Sequence, residues 1–349
     1  MSERLHFASD YMEDAHPRLL QALVDTNRES VGGYGYDPFC DDARTKILAA
    51  CGCPEGEVYF LGGGTQTNQV VIDALLHPWQ GVIAADSGHV SVHEAGAIEY
   101  SGHKVIAIAG ELGKLDAALV RVCRETWEDD ANWEHMVEPG MVYISQPTEY
   151  GTLYSLSELE ELSALCHEKH MPLFVDGARL AYALACPVND VSLSDLARLC
   201  DAFYIGGTKC GALCGEAVVF PKAGIVPRFF TQMKQHGALF AKGRLFGVQF
   251  GALFENNFYA EVGRPAIEAA DRIRAALAEE GFEMPYPAPT NQVFFLADET
   301  TIAQLNESVE YGFMEMWPDG RQLVRFATSW STTSEAADQL VSLIHSLKK

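Results

Sequence analysis

From about residue 58 to residue 220, short apolar runs alternate with stretches of helical periodicity. The runs are VYFL (58–61), GVIAAD (81–86), KVIAIAG (104–110), MVYISQP (141–147), PLFVD (172–176), AFYIGG (202–207) and EAVVF (216–220). They are apolar throughout instead of alternating in and out, as strands covered on both faces are, and the helical stretches between them supply crossovers for parallel pairing. One such helix sets Val70, Val71, Ala74 and Leu75 on one face and stops at Pro78. Another begins at an S-x-x-E capping box read at Ser157 and Glu160, carries Leu159, Leu162 and Leu165 on one face, and ends before Pro172. The predicted class is α/β, a mainly parallel seven-stranded sheet with helices on both faces.

Beyond about residue 240 the pattern changes. One long helix is predicted over 260–280, then strands in NQVFFLAD and LVRFATSW, then a final helix from Ser334. This reads as a smaller α+β domain over 246–349, joined by 1–14, beside a large domain over 15–245. The acid- and Trp-rich stretch ETWEDDANWEH (125–135) reads as an exposed loop.

Composition narrows the partners. The chain has 349 residues with 25 basic against 48 acidic, a net charge of −23, and the acid is spread along its length. Such a surface repels phosphate backbones and anionic membranes, so neither nucleic acid nor membrane is an expected partner. No apolar run nears the roughly 20 residues of a membrane-spanning helix. The N-terminal sequence lacks the basic-then-apolar pattern of a secretory signal. Nine cysteines, an odd number without small-scaffold spacing, are expected as thiols in a reducing compartment, which points to the cytoplasm. Neither Cys51/Cys53 nor Cys210/Cys214 has metal-site spacing, and no metal is expected.

In an open α/β sheet, ligands bind at the carboxyl ends of the strands. Standing there are Gly64 and Thr65; Ser87 and His89; Thr148 and Glu149; Asp176 and Arg179; Thr208 and Lys209. Lys209, after IGGT, is either a surface lysine or an amine placed to form an imine with a carbonyl compound. Asp176, ending LFVD, either caps the next helix or pairs with a buried cation such as the ring N–H of pyridoxal phosphate (PLP). The ordered pair at the ends of successive strands is more specific than either residue. GGGTQTN offers close backbone approach and a helix N-terminus for a phosphate. It also loosely mimics a dinucleotide fingerprint, with Asp86 22 residues after Gly64 and Gln66 or Asn68 near the third-glycine position. His89 can stack on a ring or exchange protons. His89, His93 and Glu94 lack the spacing of a zinc-protease helix. Arg179 and Arg325 can each grip a carboxylate or form a structural ion pair.

Taken in order, HFASD, YGYDP, GGGTQTN, HVSVHE, TEYGTLY, VDGARL, GGTKCG, KQHGAL and VRFATSW closely resemble landmarks of the low-specificity threonine aldolases, β-eliminating lyases of PLP fold type I. The resemblance spans nearly the whole chain. It implies a PLP-transferase-like fold and cleavage of a β-hydroxy-α-amino acid to glycine and an aldehyde. It implies Lys209 as the imine-forming lysine, Asp176 as partner of the pyridine nitrogen, Gly64, Thr65 and Gln66 at the phosphate, and His89 on the ring. Ser9, Arg179 and Arg325 would position the substrate carboxylate, and His89, Glu149 or a water would take the hydroxyl proton. Lys234 would reach a neighbour's phosphate, which implies a homodimer or homotetramer with shared sites. Phe174, Cys210 and Glu149 depart from the common pattern, Glu149 standing where some members have His. The alternatives are another PLP-dependent lyase or racemase reaction in the same fold or, from a different class, an NAD-binding oxidoreductase using GGGTQTN and Asp86.

Overall fold

The computed structural model describes residues 4–347. Its strands are β1 (Leu5–Phe7), β2 (Glu57–Leu61), β3 (Gln80–Ala85), β4 (Val105–Ile108), β5 (Glu138–Ser145), β6 (Leu173–Asp176), β7 (Ala202–Gly206), β8 (Glu216–Phe220), β9 (Gln292–Ala297), β10 (Val309–Met316) and β11 (Gln322–Ala327). The seven apolar runs of the sequence form one sheet in the order β2-β8-β7-β6-β5-β3-β4. Pairing is parallel from β7 through β6, β5 and β3 to β4, and β8 is antiparallel to both its neighbours. The sheet is therefore mainly parallel, and separate hydrophobic clusters pack on its two faces. Val142, Val175 and Phe203 point into one; Met141, Phe174 and Tyr204 point into the other.

The second sheet, β1-β10-β11-β9, joins the N-terminal strand to the C-terminal segment. β1 lies parallel to β10, with Phe7 opposite Tyr311. Helices Arg264–Glu279 and Ser334–Ser346 cover it through Ile273, Leu277, Leu340 and Ile344. The periodicity of the sequence misses β1 and β10. β1 has three residues, and β10 carries Glu310, Gly312 and Glu315 on a largely exposed strand, which dilutes its apolar signal.

Three local readings are corrected. The capping box is Ser155 with Glu158, not Ser157 with Glu160: the Ser155 hydroxyl accepts the Glu158 N–H, and the Glu158 carboxylate accepts the Ser155 N–H. Both pairs have the same spacing, and the box forms two residues earlier because Leu156 already begins the helix. The helix of the C-terminal segment starts at Arg264, with Pro265 in its first turn, after a separate turn at Phe258–Glu261. Residues 125–128 are not loop but the end of helix Ala117–Glu128, braced by Arg121–Glu125 and Arg124–Glu128 pairs one turn apart. Ser155→Ala should lower stability by about 1 kcal/mol, whereas Ser157→Ala should change it by less than about 0.5 kcal/mol; urea denaturation of the two variants checks the register of the cap.

Candidate active site

The carboxyl ends of β6 and β7 meet because two glycines let their backbones touch. The Gly206 N–H donates to the Gly177 carbonyl at 3.0 Å. A Cβ at Gly177 would lie 2.0 Å from the Tyr204 carbonyl oxygen, and one at Gly206 would lie 2.4 Å from that of Ala178. The VDGA and IGGTK turns are thereby pressed together, which brings Asp176 and Lys209 to one cavity of about 350 Å³. Gly62–Thr65, His89, Glu149 and Glu216 line the same space. Burial and the positive charge of Arg179 hold the Lys209 amine below its ordinary pKa, with Asp10, Asp176 and Glu216 opposing them.

Asp176 is buried and ionised. Burial pushes its carboxyl pKa up, but the His89 charge and hydrogen bonds from Tyr143, Tyr204 and Asn68 outweigh it, and the net shift is down. The Tyr143 hydroxyl donates to Oδ2 at 2.6 Å, the Tyr204 hydroxyl to Oδ1 at 2.5 Å, and Asn68 Nδ2 to Oδ2 at 3.0 Å. Oδ1 also accepts the Ala178 N–H at 2.9 Å, so Asp176 shapes its own turn while facing the cavity. Asn68 donates at 2.7 Å to Glu94 Oε1, which lies 2.7 Å from His89 Nδ1. Burial works against the His89 cation, yet the Glu94 hydrogen bond and the charges of Asp176 and Glu94 prevail, and its pKa rises.

The glycine turn opens helix Gly64–Leu75. Gly63, the cap residue, is extended and supplies no side-chain cap, so the first amides of the helix have no partner within it. Gly63 faces open space, while a Cβ at Gly64 would stand 3.2 Å from the Tyr204 hydroxyl. Thr65 lines the cavity, but Gln66 does not: its Oε1 accepts the Gly62 N–H at 3.2 Å and fastens the turn. Lys234 is exposed on helix Phe229–Gln235, its ammonium 4.6 Å from the centre of the Tyr34 ring and outside the lining of this cavity.

A second space of about 340 Å³ adjoins the first and is shared by Lys209, Arg179 and Arg325. Arg179 is already engaged: its Nε and Nη2 bind Asp10 at 2.6 and 3.0 Å. Asp10 also accepts from Asn291 at 2.9 Å. Burial alone would raise the Asp10 pKa, but Arg179 and Lys209 bring it down to about 2. Arg325 gives Nη1 to Gln292 Oε1 and Nη2 to the Ala8 carbonyl, both at 3.0 Å, and its buried Nε has no partner. Among the described residues no carboxylate pairs with Arg325. Ser9 is half-buried between Ala8 and Asp10 and does not line either space.

Glu149 Oε1 accepts the His89 backbone N–H at 3.0 Å and the Ser145 hydroxyl at 2.7 Å, and burial raises its pKa. Glu216, which the sequence reading passed over, begins β8 opposite Gly206. Its Oε2 accepts the Gly207 N–H at 2.9 Å. Burial pushes its pKa up to about 7 despite the Thr208 and Gly207 hydrogen bonds and the Lys209 charge. Its signal was an acid heading an otherwise apolar run. Asp10, Tyr143 and Tyr204 were also missed, since each acts only across the fold, whereas Glu94 was weighed only as part of a metal motif. Phe174, by contrast, packs edge-on against Tyr143 within the core. No group of three or more potential metal ligands occurs among the described residues.

Comparison with known proteins agrees with this geometry. The model of the β-eliminating lyase family matches residues 7–300. The low-specificity L-threonine aldolase of Pseudomonas aeruginosa is 29% identical over 341 residues, 96% of this chain and 95% of that protein. A solved threonine aldolase from Leishmania major is 40% identical, superposes with a TM-score of 0.95, and is matched over 98% of this chain and 99% of its own. The aspartate aminotransferase of Thermus thermophilus, at 16% identity and a TM-score of 0.72, shares the fold. The chain belongs to the β-eliminating lyase family.

Proposed function

We propose that this protein is a PLP-dependent carbon–carbon lyase that cleaves a β-hydroxy-α-amino acid of the threonine type to glycine and an aldehyde. The observation that carries the reading is the meeting of Lys209 and Asp176 at one cavity beside an uncapped helix N-terminus. These residues fit the cofactor. Lys209 is a depressed, enclosed amine, Asp176 a buried carboxylate held ionised, and the first amides at Gly64, Thr65 and Gln66 offer an anion site. When bound, PLP supplies an aldehyde that bonds to an amine and a ring that accepts the electron pair released at the substrate Cα.

The remaining work belongs to the chain. Asp176 holds a proton on the pyridine nitrogen, because its own proton is held off by Tyr143, Tyr204, Asn68 and the His89 charge. His89 is fixed by Glu94 and the Glu149–amide contact, which suits a ring that stacks on the cofactor. Arg325, without a carboxylate partner, grips the substrate carboxylate, and Arg179, braced by Asp10, completes that end of the site; Ser9, outside the lining of both spaces, is left without that role. This clamp sets the Cα–Cβ bond, not Cα–H, in position to break. His89, Glu149 and water are the groups carried over for the proton transfers.

We further assign residues 15–245 to a cofactor-binding domain and 246–349 with 1–14 to a domain that closes the substrate side, residues 1–3 and 348–349 of that division lying outside the described residues. Tyr34 and Tyr36 are exposed where Lys234 stacks on Tyr34 and Tyr36 meets Phe230, a face that suits a second copy and a Lys234 reaching the neighbouring phosphate. Nine unpaired thiols and the absence, among the described residues, of any helix long and apolar enough to cross a membrane suit the cytoplasm.

Supplying L-threonine and L-allo-threonine to the PLP-loaded protein should yield equal amounts of glycine and acetaldehyde; no glycine from either substrate would reject the proposal. Lys209→Ala should abolish covalent trapping of the cofactor by borohydride while leaving the circular dichroism unchanged. Arg325→Ala should raise KM roughly 10–100-fold, the worth of a charged hydrogen bond, with a smaller change in kcat. Glu216 titrates at about 7 against an ordinary 4.5, so the folded protein binds its proton more tightly than the unfolded chain. Its burden on stability is absent below pH 4.5 and grows as pH rises to about 7. Glu216→Gln should therefore remove a loss on the order of 3 kcal/mol between pH 4.5 and 8, read by denaturation at each pH.

A further inference from the structure

Two histidines stand four residues apart at the mouth of the site, and their surroundings differ. His89 has Nδ1 committed to Glu94 at 2.7 Å and its backbone N–H to Glu149 at 3.0 Å. His93, its ring centre 5.9 Å from that of His89, has no hydrogen-bond partner for its ring among the described residues. His93 and Glu149 line all three adjoining spaces at the strand ends, of about 350, 340 and 310 Å³. The third runs outward past Tyr150, Met314 and Leu323. A group at that junction lies between the amine and carboxylate ends of a bound amino acid, marked by Lys209 and Arg325, and the space left for its side chain.

We propose that His93 is the catalytic base that takes the β-hydroxyl proton of the substrate. The inference rests on the lyase reading above and deepens it. In the step, a ring nitrogen of His93 accepts the hydroxyl proton, the O–H electron pair becomes the second bond of the aldehyde C=O, and the Cα–Cβ bond breaks. Its electron pair stays with Cα, which then takes up one proton to become glycine, so the proton count is unchanged.

The neighbours support this choice over the alternatives. His89 has Nδ1 committed to Glu94, and Glu94 and Asp176 push its pKa up, which makes it the poorer proton acceptor of the two histidines. Glu149 spends Oε1 on the Ser145 hydroxyl and the His89 amide, which makes it a support for the turn. Burial, His89 and Arg325 push the His93 pKa below its ordinary value, leaving the neutral ring near pH 7. Facing it are His89 on its own turn, Glu149 after β5 and Arg325 on β11, with Tyr11, Lys209 and Arg179 across the inner space and Asp86 and Glu315 across the outer one. Adjacent titratable groups driven in opposite directions are the usual mark of divided acid–base roles.

The test uses His93→Gln in the PLP-loaded protein. Cleavage should fall about 100–1000-fold in kcat, within the range of a general base, with KM changed less than about threefold. The acid limb of the wild-type pH profile, which reports the neutral ring, should vanish. Exchange of glycine α-protons with D2O, which involves no hydroxyl proton, should stay within about threefold of wild type, and imidazole should restore part of the cleavage lost in His93→Ala. Independently of activity, ring-labelled histidine followed by NMR should show the His93 signal, identified by its loss in the variant, titrating below the ordinary 6.5 and His89 above it. Cleavage within threefold of wild type with the acid limb kept, equal loss of cleavage and exchange, or a His93 midpoint above 6.5 would each overturn the assignment. A wild-type protein that exchanges glycine protons but cleaves no hydroxy amino acid would instead bring down the lyase reading itself.

Discussion

The site depends on keeping one carboxylate charged out of water. An isolated buried Asp would take up a proton, since low dielectric penalises the anion. Asp176 avoids this because four donors converge on its two oxygens, and they come from β5, β7, helix Gly64–Leu75 and its own following turn. A single charge thereby ties together the elements that carry the glycine turn, the Lys209 turn and the sheet centre. Asn68 extends the tie by one link to Glu94 and so to His89. The cation on His89 and the anion on Asp176 favour each other, so loss of either acid would change the ring nitrogen as well as the carboxylate.

A second constraint fixes the substrate side. Asp10 follows β1, which belongs to the small sheet, Arg179 follows β6 of the large sheet, and Asn291 precedes β9. Their hydrogen bonds bring three distant parts of the chain to one buried point. The Ala8 carbonyl, two residues earlier, receives Arg325. Each arginine is thus oriented by the same N-terminal segment, Arg179 neutralised and Arg325 not. The difference matters to the proposed function, in which the guanidinium without a carboxylate partner is the one that would meet an incoming carboxylate.

The large sheet was legible because buried parallel strands are apolar without alternation, and all seven runs became strands. β1 and β10 were not, since a three-residue strand and a largely exposed one carry little periodic signal. The order of landmarks showed Lys209, Asp176 and the glycine turn, because those are set by local sequence at strand ends. Asp10 was invisible for a different reason: its role lies in a partner 169 residues away, at Arg179. The resemblance implies Gln66 at the phosphate, and its side chain folds back on Gly62, which leaves only its backbone amide for that role. Sequence position fixes where a backbone goes more firmly than where a long side chain points.

The net charge of −23 and the cationic interior do not conflict. Exposed charges farther apart than about 8 Å are largely screened at physiological ionic strength, so the acidic exterior acts weakly at the cavity. Inside, screening is poor, and Lys209, Arg179 and Arg325 act on each other as well as on a ligand: Arg179 lowers the pKa of both Lys209 and Arg325. The repulsion among the three cations is opposed by Asp10, Asp176 and Glu216 at Lys209 and by Asp10 and Glu149 at Arg179. Under the proposed function, an amino-acid carboxylate or a phosphate would relieve that repulsion on entering, so the same crowding that depresses the Lys209 amine would also favour anionic ligands.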